Sequence, residues 1–224
     1  MTGRDLAMLN AFQGRNLRAR LTQPMDELWD RRLRVSTFGY HPATGSPGDR
    51  EWYIHYIPSP YRDIFDVLKT AKLSRDDVFT DLGCGLGRVV FAASCAGARR
   101  ATGVELVSWL ADGAKENQRR CNLKGRDIEF FERNAVDHSI ADTTLLYMFH
   151  PFGEQILAEV LEKARADRKG AGAQRPLRIA YVNPVYEQVL AQSGWMRRTL
   201  EVAAKPQSFS SADHYNTSFW ESTE

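Results

Sequence analysis

Asp81, Gly83, Gly85 and Gly87 stand at alternate positions in the run Val78-Phe-Thr-Asp-Leu-Gly-Cys-Gly-Leu-Gly-Arg-Val-Val90. Glycine lets a backbone adopt positive φ and approach a ligand closely. The apolar helical pattern that begins near Leu86 places unpaired N–H groups at the end of this turn, where a carboxylate or phosphate binds. The arrangement is therefore a ligand cradle. It is not the dinucleotide fingerprint G-x-G-x-x-G, which counted from Gly83 requires glycine where the chain has Arg88. Glu105 follows Gly87 by 18 residues. A carboxylate there, at a strand tip, can accept hydrogen bonds from both ribose hydroxyls; the alternative is a solvated acid favoured by the dipole of the next helix. His150, followed by Pro151 and Phe152, ends another strand pattern. Its imidazole can serve as a general base near neutral pH, or orient a substrate by hydrogen bonding.

Those residues need rigid elements to hold them. Strand patterns fall near 78–82, 100–104, 127–131, 143–149 and 177–183, and helical patterns at 62–71, 86–96, 107–121, 153–168 and 185–193. This alternation predicts an α/β fold, a parallel sheet with helices on both faces, and right-handed crossovers restrict its topology. Gly194-Trp195 leads into a strand through about Val202, and Tyr215 to Trp220 reads as a final strand, so the chain closes on an antiparallel pair. Residues 167–176 read as a flexible polar connection. Toward the N-terminus, Leu6, Leu9, Phe12, Leu17, Leu21, Met25, Leu28 and Leu33 have helical spacing, and Pro24 between them predicts two helices rather than one. Residues 39–50 are rich in Gly, Pro, Ser, Thr and Asp and predict a loop. An aromatic stretch follows, containing Tyr53, His55, Tyr56 and Tyr61.

The chain has 224 residues, 43% hydrophobic and 26% charged, with a formal net charge of +2. It is long enough for one domain with a sizeable core. So balanced a charge does not call for a nucleic-acid partner. Arg15, Arg18, Arg20, Arg31, Arg32 and Arg34 read as solvated helix faces. Cys84, Cys95 and Cys121 lack paired spacing, which argues against a disulfide framework and against a metal site; Cys84 fits the glycine loop by its small size. No apolar run reaches membrane-spanning length, and the first residues lack a signal-peptide core, so a cytoplasmic enzyme is expected.

The sequence Asp81-x-Gly83-x-Gly85-x-Gly87 resembles the first motif of class I S-adenosylmethionine (SAM)-dependent methyltransferases, and Gly103-Val104-Glu105 matches the acid that family carries at its second strand. The resemblance covers about residues 60 to 221. It implies a seven-stranded Rossmann-like sheet with SAM as cofactor. Asp81 would bind the SAM ammonium, Glu105 the ribose, and Asn134 with Ala135 the adenine, although Asp is usual where Asn134 stands and Asn also caps turns. Related sequences carry Asn-Pro-Phe where this chain has His150-Pro151-Phe152, beside the reacting methyl, so Phe152 would wall the transfer site. The donor motif is also similar to that of Dot1-type lysine methyltransferases, but their Asn-Asn-Phe after the fourth strand is absent.

Residues 1–60 lie outside the minimal sheet and are expected to form a lid and acceptor pocket ahead of a SAM-binding domain at 61–224. Tyr53, His55 and Tyr56 would line that pocket and Tyr61 would reach the acceptor, since aromatic faces stabilise cationic methyl groups; the same aromatics would otherwise pack the N-terminal helices or make a dimer contact. Arg88 would meet an acidic acceptor or the SAM carboxylate, or lie solvated on its helix. The expected function is methyl transfer to a small molecule. The alternatives are a protein-lysine methyltransferase, an enzyme that cyclises or cleaves the methionyl chain of SAM, a non-catalytic SAM-binding subunit, and a nicotinamide dehydrogenase, against which Arg88 speaks.

Overall fold

The strand β1 (Val78–Leu82) is buried along its whole length, Thr80 and Asp81 included, as expected in the middle of a parallel sheet that is covered on both faces. The structure is a computed structural model and describes residues 17–38, 56–203 and 215–224. Tyr53, His55 and the loop expected at 39–50 lie outside the described residues. On one side β1 pairs in parallel with β2 (Arg100–Glu105), and β2 with β3 (Asp127–Glu132). On the other it pairs in parallel with β4 (Leu145–Phe149), and β4 with β5 (Arg178–Val182). The strands β6 (Met196–Val202) and β7 (Thr217–Ser222) complete a seven-stranded sheet of order β3-β2-β1-β4-β5-β7-β6, in which β7 runs antiparallel to both neighbours.

Six described α-helices accompany the strands: α1 (Leu17–Leu33), α2 (Tyr61–Thr70), α3 (Arg88–Ala96), α4 (Ser108–Arg120), α5 (Glu154–Ala171) and α6 (Glu187–Gln192). The strand alternation sorts side chains to two faces. Leu145 and Tyr147 of β4 join one apolar cluster with Ile64 and Leu68 of α2 and Val90 of α3. Leu146 and Met148 join the other with Leu157, Val160 and Leu161 of α5. Leu33 and Val35 belong to the first cluster as well, so the apolar core runs across residue 60 rather than stopping there. No helix among the described residues is long and apolar enough to cross a membrane.

Two local features differ from expectation. Pro24 lies inside a single helix, α1, instead of dividing two. Its position is exposed, on a side of the helix where the bond lost with its missing N–H costs least. The helix α5 continues to Ala171, into the segment expected to be irregular. Arg168 is the reason: it is buried and donates to the carbonyls of Ala141, Thr143 and Arg175. Gly172, at φ 62°, then ends the helix.

At the opposite end of the sheet from the glycine turn, Asp77 is fully buried. Its carboxylate accepts from Ser74 N at 2.7 Å, Thr144 Oγ1 at 2.8 Å and Arg178 Nη2 at 2.6 Å. Burial alone would raise this carboxyl, but the bonds from Thr144, Arg178 and Ser74 outweigh it and hold the group below its ordinary value. Asp77→Asn removes the negative charge that faces Arg175 and Arg178. Because Arg178 is partly exposed and keeps the Ala71 carbonyl, the change is expected to cost about 2–3 kcal/mol in urea unfolding, below the full penalty for breaking a buried pair. A depressed carboxyl stabilises the fold above its unfolded pKa of about 3.9 and loses that contribution as pH falls through the folded value. The gap between wild type and variant is therefore expected to close in acid.

Candidate cofactor and acceptor site

In an open parallel sheet, ligands bind beyond the carboxyl ends of the strands where the strand order reverses. Here that point lies between β1 and β4, because β1 continues in sequence to β2 on one side while β4 flanks it on the other. The glycine turn leaves β1 at this point and His150-Pro151 leaves β4. Val104 O accepts both Gly83 N at 2.9 Å and Cys84 N at 3.1 Å, and Cys84 O accepts Gly87 N at 2.9 Å. At Gly83 (φ 81°) an added Cβ would fall 2.7 Å from Pro151 Cβ, so the β4 tip rests directly on the turn. At Gly85 (φ 54°) it would fall 2.3 Å from the Tyr56 ring.

Asp81, the first motif residue, is 3% exposed. Burial and the adjacent Glu105 charge push its carboxyl well above the usual range. Among the described residues no cation pairs with it. A buried carboxylate without a counter-charge is costly unless a ligand supplies one, and perturbed acids in a crevice mark functional positions.

Glu105 is also buried, and burial raises its carboxyl despite opposing backbone hydrogen bonds. Its Oε2 accepts Gly85 N at 2.8 Å and its Oε1 accepts Val107 N at 2.9 Å. The solvated-acid alternative is thus excluded: Glu105 ties the tip of β2 to the glycine turn. Each oxygen retains a second lone pair for a ligand hydroxyl. Leu106 beside it is 55% exposed and offers an apolar surface at the same edge, a residue that sequence reasoning passed over.

The tip of β3 joins that edge, since Arg133 N donates to Glu105 O at 2.9 Å. Asn134 Oδ1 accepts Val136 N at 3.3 Å and caps the 3-10 turn Ala135–Asp137. Ala135 is half-buried against the second apolar cluster.

His150 holds φ at 37°, in the left-handed region that few non-glycine residues adopt. Its Nδ1 lies 3.3 Å from Tyr181 Oη and its ring 5.4 Å from that of Tyr186. Burial lowers its pKa, which favours the neutral, proton-accepting form at pH 7. Phe152 is half-buried against the second cluster. The β4 tip also carries Phe149, whose ring meets Tyr215 edge-on at 4.8 Å.

Two expectations need correction, and a third holds. Tyr61 does not reach an acceptor: it is 0% exposed and its hydroxyl donates to Asp30 Oδ1 at 2.9 Å. Its ring stacks on Trp29, and burial raises its pKa, so the phenol stays protonated. Arg88 is neither solvated nor aimed at an acceptor; it is 2% exposed, with Asp26 and Asp30 beside it. Cys84 is buried with its thiol pKa raised, which fits small size rather than nucleophilicity as its requirement. The structure does bring together Asp81, Gly83, Gly85, Gly87, Glu105, Tyr56 and His150-Pro151 around one turn. Asn134 and Ala135 flank the β2 edge.

The sheet order is that of the Rossmann-like methyltransferase structures, and the chain shares their fold. The magnesium protoporphyrin IX methyltransferase of Synechocystis PCC 6803, solved with bound SAM, aligns at TM-score 0.53 with 10% identity, covering 72% of this chain and 77% of its own. The tRNA (m1A58) methyltransferase of Aquifex aeolicus aligns at TM-score 0.57 with 15% identity, over 75% of this chain and 70% of its own. More particularly, residues 59–148 match the family model described as "Histone methylation protein DOT1". A protein-lysine N-methyltransferase of Saccharolobus islandicus (strain REY15A) is 32% identical over 98 residues, which make up 43% of this chain and 60% of that protein. The similarity thus spans less than two thirds of that relative.

Proposed function

We propose that this protein is a SAM-dependent methyltransferase acting on a small-molecule acceptor. The observation that carries the reading is Asp81, a buried carboxylate without a counter-cation among the described residues, set at the switch point beside a glycine turn. An α-ammonium fits that carboxylate. Glu105 would hold the ribose hydroxyls, and Leu106, Asn134 and Ala135 the adenine edge. Bound SAM supplies a methyl group activated by its sulfonium.

The chain's own contribution is placement and proton removal. Positioning supplies much of the barrier reduction in such a displacement. Pro151, packed on Gly83, sets the β4 tip over the cofactor turn. His150, kept neutral by burial and held near Tyr181 Oη, accepts a proton from an acceptor O–H or N–H. Phe149, Phe152, Tyr186 and Tyr215 give this tip an apolar border, which suits an acceptor with an apolar or aromatic body. Tyr56, on Gly85, is the described residue that supports a lid role for the N-terminal segment.

A second reading, methylation of a protein lysine, is favoured by the printed name of the relative from Saccharolobus islandicus. One experiment separates the two. The protein is incubated with methyl-deuterated SAM and either a metabolite extract or a protein fraction, and both are analysed by mass spectrometry. A labelled metabolite together with S-adenosylhomocysteine is expected. Label confined to lysine selects the second reading, and SAM that stays intact in both mixtures rejects methyl transfer.

A further inference from the structure

Arg88 begins α3 immediately after Gly87, and its guanidinium sits at the centre of a buried network that the methyl-transfer chemistry does not use. Nε donates to Thr37 Oγ1 at 2.7 Å and Nη1 to Ser59 O at 3.0 Å. Nη1 lies 3.4 Å from Asp26 Oδ2, and Nη2 lies 3.8 Å from Asp30 Oδ2. The guanidinium carbon stands 4.9 Å from the centre of the Tyr61 ring. Both acids come from α1 and are engaged further. Asp26 Oδ1 accepts Tyr61 N at 2.9 Å. Asp30 accepts Thr37 N at 2.8 Å, Thr37 Oγ1 at 2.7 Å and Phe38 N at 3.1 Å, besides the Tyr61 hydroxyl.

The circuit closes on the cofactor turn. Tyr56 Oη donates to Thr37 O at 2.7 Å, and the Tyr56 ring lies against Gly85. Gly85 N in turn donates to Glu105. Contacts therefore run from the turn into α3, across Arg88 to α1, along Thr37 to Tyr56 and back to the turn. A buried ion cluster is a poor way to gain stability, because apolar residues of the same volume do as well or better. What charged and hydrogen-bonded groups add is fixed geometry.

We propose that Arg88 is a positioning residue for the cofactor: through Asp30 and Thr37 it holds Tyr56 on Gly85 and so fixes the shape of the SAM-binding turn. This rests on the SAM reading above. It makes α1 and residues 36–38 part of the cofactor site rather than a separate cap. Because Thr37 is shared by both halves of the circuit, removing its hydroxyl alone loosens the coupling.

The test titrates SAM calorimetrically into the full-length protein and records melting without ligand, for wild type, Arg88→Met, Thr37→Val and Asp77→Asn. Arg88→Met is expected to raise the SAM Kd at least about tenfold and Thr37→Val about fivefold, within the usual range of coupling between linked sites. Asp77→Asn, at the far end of the sheet, is expected to lower the melting temperature while leaving Kd within about twofold, because distant sites behave independently. If Arg88→Met does not fold, Thr37→Val decides. The proposal is overturned if folded Thr37→Val binds SAM like wild type, or if Kd rises equally in Asp77→Asn. Wild type that fails to bind SAM rejects the SAM reading itself.

Discussion

Asp81→Asn is expected to abolish tight SAM binding while making the unliganded protein more resistant to heat. In wild type, burial and the Glu105 charge oppose ionisation of Asp81. A raised carboxyl stabilises the fold fully below its unfolded pKa of about 3.9, and that contribution is lost as pH rises through the folded value. The amide carries no such penalty, so the variant's advantage is largest at alkaline pH and vanishes near pH 4. Each kcal/mol gained raises Tm by about 2–4 °C in a domain of this size. Binding moves the other way: removing one partner of a buried charge pair costs about 2–5 kcal/mol, or roughly 30- to several-thousand-fold in Kd. Melting curves from pH 4 to 8 and SAM titrations measure both. An unchanged Kd would show that no ligand cation meets Asp81, and an unchanged Tm throughout would contradict its burial as an unpaired charge.

Gly85→Ala is expected to damage fold and site together. A side chain in the left-handed region costs about 1–2 kcal/mol. The new methyl would also fall 2.3 Å from Cε2 and 2.5 Å from Cδ2 of Tyr56. Overpacking of this kind adds about 1–3 kcal/mol, and the ring must leave the turn to accommodate it. Loss of more than tenfold in SAM affinity should accompany the destabilisation, in line with the linked-site coupling invoked for Arg88. A double-mutant cycle with Tyr56→Ala isolates the overlap: the double variant should recover the steric share and retain the backbone share. Destabilisation by Gly85→Ala that is indifferent to Tyr56 would mean the ring does not lie on Gly85.

The sheet and the glycine turn were legible because they depend on local patterns. Short apolar strands alternating with helical repeats specify a parallel sheet, and the glycines mark where the backbone must turn under a ligand. Glu105 could be placed for a similar reason, by its distance from the turn. The environment of Arg88 was not legible. A lone cation at the start of an apolar helix reads as solvated, and the partners that bury it, Asp26 and Asp30, lie on a helix remote in sequence. Their four-residue spacing on the face that also carries Leu33 was the available signal. Tyr61 misled for the same reason, since an aromatic residue opening a helix beside prolines looks equally like a wall of a pocket or a core residue. Only its contacts with Trp29, Asp30 and Arg88 distinguish the two. Pro24 misled because a breaker was read without knowing which way its helix face points.

The placement of β7 has a consequence for how the protein is made. As β6 leaves the ribosome it has no neighbour to join, because β7 is inserted between it and β5 and is translated afterwards. Until β7 emerges, the outer edge of β5 offers unpaired backbone groups, a template for pairing with another chain. A stop codon or frameshift upstream of Thr217 would therefore remove one strand in composition but two from the sheet. The product would keep its glycine turn and lose the protection of its edge, so its expected fate is aggregation or chaperone capture rather than accumulation as a trimmed enzyme.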